Sequence, residues 1–162
     1  MNTQNRLINT PIGNILLQAK DNKIYSLKLS YRYENIVNDY SDILLEAEKQ
    51  LKEYFLGKRK NFNIPILLEG TVFEKSVWQA TRKITYGKTK TYQEIARDIG
   101  KEKAFRAVGN ALGKNPLPII IPCHRVVSKN GLGGFSAPIH IKHYLIEFER
   151  KTLLKFDSIK NY

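Results

Sequence analysis

The first thirty residues alternate apolar and polar positions with a period of two. Ile15, Leu17 and Ala19 are set off from Leu16 and Gln18, and Tyr25, Leu27 and Leu29 from Ser26 and Lys28. That period sends successive side chains to opposite faces of a strand. Pro11-Ile12-Gly13-Asn14 and Asp21-Asn22 interrupt the runs with residues that suit hairpin turns, so an antiparallel meander is predicted. From Ser41, a helix N-cap type, the period changes: Leu44, Ala47, Leu51 and Tyr54/Phe55 recur at helical spacing until Gly57. Pro65 disfavours helix at Ile64 and makes residues 61–65 an extended connection.

Beyond residue 70 the helical signals are denser. Thr71-Val72-Phe73-Glu74 has the form of a capping box, in which threonine oxygen and glutamate each satisfy an orphan amide at a helix start. Phe73, Val77, Ala80 and Ile84 follow as its apolar stripe. A second box, Thr91-Tyr92-Gln93-Glu94, opens a short helix with Ile95 and Ile99 inward and Gly100 at its end. A third helix runs from about Lys103 through Val108 to Leu112. Two short helices joined by a glycine-containing turn make a helix-turn-helix candidate, a pattern that is also a common packing unit. The expected class is α+β: a sheet-and-helix domain over 1–70 and a helical domain with the helix-turn-helix over 71–162.

Charge adds a partner to this outline. The 162 residues carry a formal net charge of +12. Residues 1–70 hold ten Lys/Arg against eight Asp/Glu, whereas 71–162 hold seventeen against seven. The basic surplus therefore belongs to the C-terminal part and points to a polyanion, although lysine-rich surfaces also serve solubility. The chain has one cysteine, Cys123, which excludes an intramolecular disulfide and a multi-thiolate zinc site. His140 and His143 are far from it in sequence, and the usual zinc spacings are missing. No metal and no cofactor are expected. A reducing, intracellular setting fits a lone thiol. No apolar signal core follows the N-terminus and no stretch reaches the length of a membrane span, so a soluble cytoplasmic monomer is expected.

Within Ile119-Ile120-Ile121-Pro122-Cys123-His124-Arg125-Val126-Val127 a thiol stands between an apolar run and two basic side chains. A thiol becomes a nucleophile when its proton is removed, and nearby positive charge or a basic imidazole favours that. On an extended backbone neighbours point apart, so His124 reaches Cys123 only through a turn or a bridging water. A small buried hydrophobe is the commoner fate of a lone cysteine.

Pro122-Cys123-His124-Arg125-Val126 resembles the active-site signature of the O6-alkylguanine-DNA alkyltransferases. The likeness continues in Val77-Trp78, Ile84-Thr85-Tyr86-Gly87, Thr91 to Ala96, Arg106 to Ala111, Asn115-Pro116, Gly131 to Phe135, and Lys142 to Glu149. It is dense over 71–150 and only architectural over 1–70, where the family carries a variable, ribonuclease H-like sheet-and-helix domain.

The resemblance implies repair of O6-alkylguanine, with O4-alkylthymine as a further substrate, in double-stranded DNA and by irreversible transfer of the alkyl group. Cys123 would be the acceptor and His124 its base. Glu149 would orient His124, though by sequence alone it reads equally as a solvated residue near a helix end. Tyr92 would donate a hydrogen bond to the departing purine, or else be a core aromatic. Arg106 would fill the space of the extruded nucleotide, or else contact phosphate. Thr91, Ala107, Asn110 and Arg125 would complete the DNA contacts, and Val126, Phe135 and Ser136 the base pocket. Asn115 would hinge the helix-turn-helix to the reactive loop, alongside its role in the turn before Pro116. Phe135 stands where many members have tyrosine, and Ala137-Pro138 where some have glycines, which alters the pocket loop. A thiol-less damage sensor, a helix-turn-helix regulator and a cysteine hydrolase are rival classes; Cys123 speaks against the first, and the absence of a visible effector domain or turnover route against the others.

Overall fold

The computed structural model describes residues 2–29, 31–32 and 35–160, the last by its backbone. The chain forms two compact units, one of residues 1–69 with Pro116–Pro118, the other of Gly70–Asn115 and 119–162.

In the first unit β1 (Gln4–Thr10), β2 (Gly13–Lys20) and β3 (Lys23–Lys28) form an antiparallel meander in the order β1-β2-β3. The β2–β3 loop has Asp21 at φ 50° and Asn22 at φ 57°. Positive φ at both central residues is the two-residue hairpin geometry that matches strand twist, and Asp and Asn tolerate it best among non-glycine residues. One detail departs from the alternation in the sequence. The β2–β3 register shifts between Gln18 and Ala19, which pair with Ser26 and Ile24, so Tyr25 is an extra residue on β3. The bulge turns Ile24 inward with Leu27, in place of the Tyr25/Leu27/Leu29 set. Leu16 is buried as well as Ile15 and Leu17, so the central strand is covered on both faces.

Helix α1 (Asp42–Phe55) buries Ile43, Leu44, Ala47, Leu51 and Tyr54. Ser41 occupies its N-cap without a side-chain cap bond. At the other end Gly57, at φ 74°, bonds back to Tyr54 O and Lys58 to Glu53 O, a Schellman closure. Both sheet edges are covered. Asn5 and Leu7 of β1 donate to the side chains of Asp39 and Asn38. On β3, Ile24 pairs with Pro65 and Leu67, and Leu27 N–H donates to Pro116 O. Unpaired edges invite association, and these are occupied from within.

In the second unit α2 (Val72–Arg82) and α3 (Tyr92–Asp98) each begin with a complete capping box, at Thr71/Glu74 and Thr91/Glu94. Gly100, at φ 74°, ends α3, and α4 (Phe105–Gly113) follows as the second helix of the helix-turn-helix. Trp78, 1 % exposed, donates its indole N–H to Ala111 O at 2.8 Å and fastens α2 to α4. A short parallel pair absent from the sequence reading joins β4 (Lys90–Thr91) to β5 (Val126–Val127). It carries the start of α3 to the segment after Cys123. The last element, α5 (Ile139–Lys160), has 22 residues. Among the described residues no helix is long and apolar enough to cross a membrane.

Candidate active site

The backbone turns twice in succession at the thiol. Pro122, at φ −80° and ψ 64°, lets Cys123 N–H bond to Ile121 O at 2.7 Å, an inverse γ-turn. A 3-10 turn over Cys123–Arg125 follows, closed by Arg125 N–H to Pro122 O at 2.9 Å. Upstream, Ile119 has φ 74°, a conformation that costs a β-branched residue on the order of 1–3 kcal/mol. Asn115 donates its amide N–H to Ile121 O at 2.9 Å, pinning the backbone just before Cys123 to the segment that follows α4.

Beneath the turn lies a buried polar cluster. Glu149, 1 % exposed, accepts from His124 Nε2 at 2.6 Å, Arg125 Nε at 2.8 Å, Arg125 Nη2 at 3.2 Å and Gly87 N at 3.0 Å. Four donors match the roughly four lone-pair positions of a carboxylate. Burial by itself raises the Glu149 carboxyl; His124 and then Arg125 outweigh it and hold it well below the usual range. Arg125 already balances that charge, so His124 need not be protonated to pair with it. Burial lowers the His124 pKa against the pull of Glu149, leaving a neutral ring that donates Nε2–H to the carboxylate. Its other nitrogen, Nδ1, is then an unprotonated acceptor, buried and without a protein partner among the described residues.

Cys123 is 5 % exposed, and burial pushes its thiol pKa up, against opposing effects of the Asn115 hydrogen bond and of Lys142. Lys142, 1 % exposed, is held by Val126 O at 2.6 Å and Gly134 O at 2.8 Å. Burial brings its pKa down to about 8, partly offset by Cys123. The Tyr92 hydroxyl accepts from Gly134 N–H at 3.1 Å, and burial keeps that phenol protonated by raising its pKa. Tyr92, Gly109, Leu112, Gly113, Cys123, Gly134, Phe135 and Ser136 line a cavity of about 270 Å³. The thiol thus lies at a wall open to a space near the ~300 Å³ lower bound of small-molecule sites.

Two family models match the chain: the ribonuclease-like domain of 6-O-methylguanine DNA methyltransferase over residues 5–68, and its DNA-binding domain over residues 72–151. The chain belongs to the 6-O-methylguanine DNA methyltransferase family. Its relatives include a methylated-DNA--protein-cysteine methyltransferase of Methanosarcina barkeri, 44 % identical over 91 % of this chain and 97 % of that protein. Among solved structures, an O6-methylguanine methyltransferase of Mycobacterium tuberculosis superposes with a TM-score of 0.85 at 36 % identity, covering 93 % of this chain and 94 % of its own. The OGT of the same organism in complex with DNA gives 0.84 at 36 % identity, covering 92 % and 94 %.

For this methyltransferase-family chain the geometry revises several expectations. Arg125, expected among the DNA contacts, is 6 % exposed and spends Nε, Nη1 and Nη2 on Glu149 and on Ile84 O, so its guanidinium is committed within the protein. Val126, expected in the base pocket, is fully buried in β5 and does not line the cavity; its carbonyl binds Lys142. Of the two readings of Glu149, the solvated one falls away, since the residue is buried midway along α5 and bonded to His124. Phe135 and Ser136 do line the cavity. Arg106, Ala107 and Asn110 are exposed on α4, and Thr91 is half-buried with its oxygen accepting from Glu94 N–H. Lys142 and the α4 residues Gly109, Leu112 and Gly113 were not anticipated. One signal was available for Lys142: with Ile141, Leu145 and Ile146 it forms an apolar helix face on which Lys142 and Glu149, seven apart, are the two charges.

Proposed function

We propose that this protein repairs O6-alkylguanine in DNA by taking the alkyl group onto Cys123, once per molecule. The observation that carries the reading is the chain's one thiol, opening onto a cavity and followed by an imidazole whose Nε2–H is bound to a buried carboxylate. His124 Nδ1 accepts the thiol proton, directly or through one water, as Sγ attacks the carbon bonded to guanine O6. The S–C bond forms and the C–O bond breaks. The electron pair passes into the purine, which takes up a proton and leaves as guanine. Glu149 fixes the imidazole tautomer and stabilises its charged form, the division of labour seen in hydrolytic triads.

Tyr92 accepts from Gly134, so its own proton is available to the purine as negative charge grows there, where such a donor acts most strongly. The Lys142 ammonium favours charge on the sulfur. A carbon on guanine O6 cannot be approached in line while the base is stacked, so the nucleotide must turn out of the duplex. Arg106 on α4 enters the vacated space, Ala107, Asn110 and Thr91 border the backbone, and Phe135 and Ser136 border the flipped base. The product thioether has no good leaving group, and a lone reduced thiol suits the cytoplasm.

The test is to mix the protein with a duplex bearing one O6-methylguanine and weigh both products. One methylene of added mass on the peptide containing Cys123, never above one equivalent, is expected. Repeated turnover or modification elsewhere overturns the proposal. Cys123→Ala should bind this duplex and transfer nothing.

A further inference from the structure

Residues 105, 106 and 107 are three consecutive helical positions, which at about 100° per residue span more than half the circumference of α4. All three are exposed, and Val108 is the first to be buried. The opening turn of the second helix of the helix-turn-helix therefore presents Phe105, Arg106 and Ala107 to solvent at least in part. Its first residue is a phenylalanine, 39 % exposed, and among the described residues no aromatic ring or cation pairs with it. The contrast within the unit is informative. Tyr144 is similarly exposed but stacks on Phe148 with centroids 6.0 Å apart, and Phe73 lies under the Lys101 ammonium at 5.6 Å. Around Phe105 the preceding residues Lys101, Glu102 and Lys103 are all exposed and polar. Phe105 is thus a partly exposed apolar ring in the first turn of a helix, beside Lys101 and Lys103 and directly before Arg106, with no ring or cation of its own unit set against it among the described residues.

We propose that Phe105 is an apolar wedge that enters the opened duplex beside Arg106 and stacks on a base flanking the extruded guanine. This rests on the base-extrusion reading of the site. Opening a stack exposes two base faces. A guanidinium replaces the lost base in the column, while an aromatic ring covers exposed base surface and holds the step apart, as inserted apolar side chains do in minor-groove proteins. Phe105 then sets how well duplex DNA competes with smaller substrates, because a free nucleobase needs no wedge.

Two arms test it. In the first, transfer rates are measured for wild type and Phe105→Ala with an O6-methylguanine duplex and with a free O6-alkylguanine base. The duplex-to-free-base rate ratio should fall about tenfold or more in Phe105→Ala, the worth of one base–aromatic stack. Phe105→Leu should recover part of it. An unchanged ratio overturns the proposal. The second arm needs no transfer. Phe105→Trp in the Cys123→Ala background is titrated with the lesion duplex, and the same titration of Cys123→Ala alone is subtracted to remove Trp78. Quenching of the added indole is expected; emission that does not change on binding overturns the wedge. If wild type moves no alkyl group while the indole is quenched, the transfer reading fails and the wedge stands.

Discussion

At the scale of single residues, Glu149 determines the state of its neighbours. Its carboxylate neutralises Arg125 and thereby lets His124 stay an uncharged base. Glu149→Gln should destabilise the protein by about 3–5 kcal/mol near neutral pH, because Arg125 is left as a buried charge without its counter-ion. The pH dependence has a fixed sign. The folded carboxyl lies below the ordinary glutamate value of 4.5, so its contribution is complete above that pH and is lost as the pH falls below it. Urea unfolding followed from neutral to acid pH should show that loss in wild type and a flatter course in Glu149→Gln. An identical acid limb in both would remove Glu149 from this role. Lys142 acts in the other direction. Its ammonium, with a pKa of about 8, is charged at neutral pH and discharges as the pH rises. Transfer from a free O6-alkylguanine base should therefore bend downward above about pH 8. Lys142→Met should lack the bend and run slower at neutral pH, because a neighbouring cation no longer favours the thiolate.

At the scale of elements, the legible parts were those whose signals are local. Both capping boxes, the Asp21-Asn22 turn and the Gly57 closure are made by residues within a few positions of one another, and the structure forms each of them. The bulge at Tyr25 and the β4–β5 pair were not legible, since each depends on a partner distant in sequence. The site divides the same way. Cys123 and His124 announce themselves as neighbours, whereas the partners of Arg125 are Ile84, far upstream, and Glu149, far downstream, so the buried pairing of its guanidinium is not legible from its neighbours in sequence. Gly133 makes the element scale testable. It has φ +75°, and an added Cβ would come within 2.5 Å of the Tyr92 hydroxyl oxygen. Gly100, at φ +74°, has nothing within 4 Å of the same position. Gly100→Ala should cost about 1 kcal/mol from backbone strain alone. Gly133→Ala should cost more and also slow transfer, because Tyr92 must move. Equal effects on stability and rate would mean that the contact with Tyr92 is unimportant.

At the scale of the molecule, the Lys and Arg side chains of residues 71–162 are exposed or half-buried among the described residues, apart from Arg125 and Lys142, which are buried. Affinity for undamaged duplex should fall linearly with salt on logarithmic axes, with a slope of about −0.9 for each phosphate neutralised. Lys103→Ala, on the exposed turn before α4, should reduce that slope by about one. Arg106→Ala should leave it nearly unaltered while slowing transfer from duplex more than from the free base. A slope that changes equally in both variants would make Arg106 a phosphate contact. The lone sulfur has a practical corollary. With one cysteine per chain, 5 % exposed, a bulky maleimide should label the native protein slowly and the denatured protein to one equivalent. A chain that has already reacted offers no thiol to label under either condition. Denatured labelling therefore counts the unspent fraction of any sample directly, with no damaged DNA in the tube.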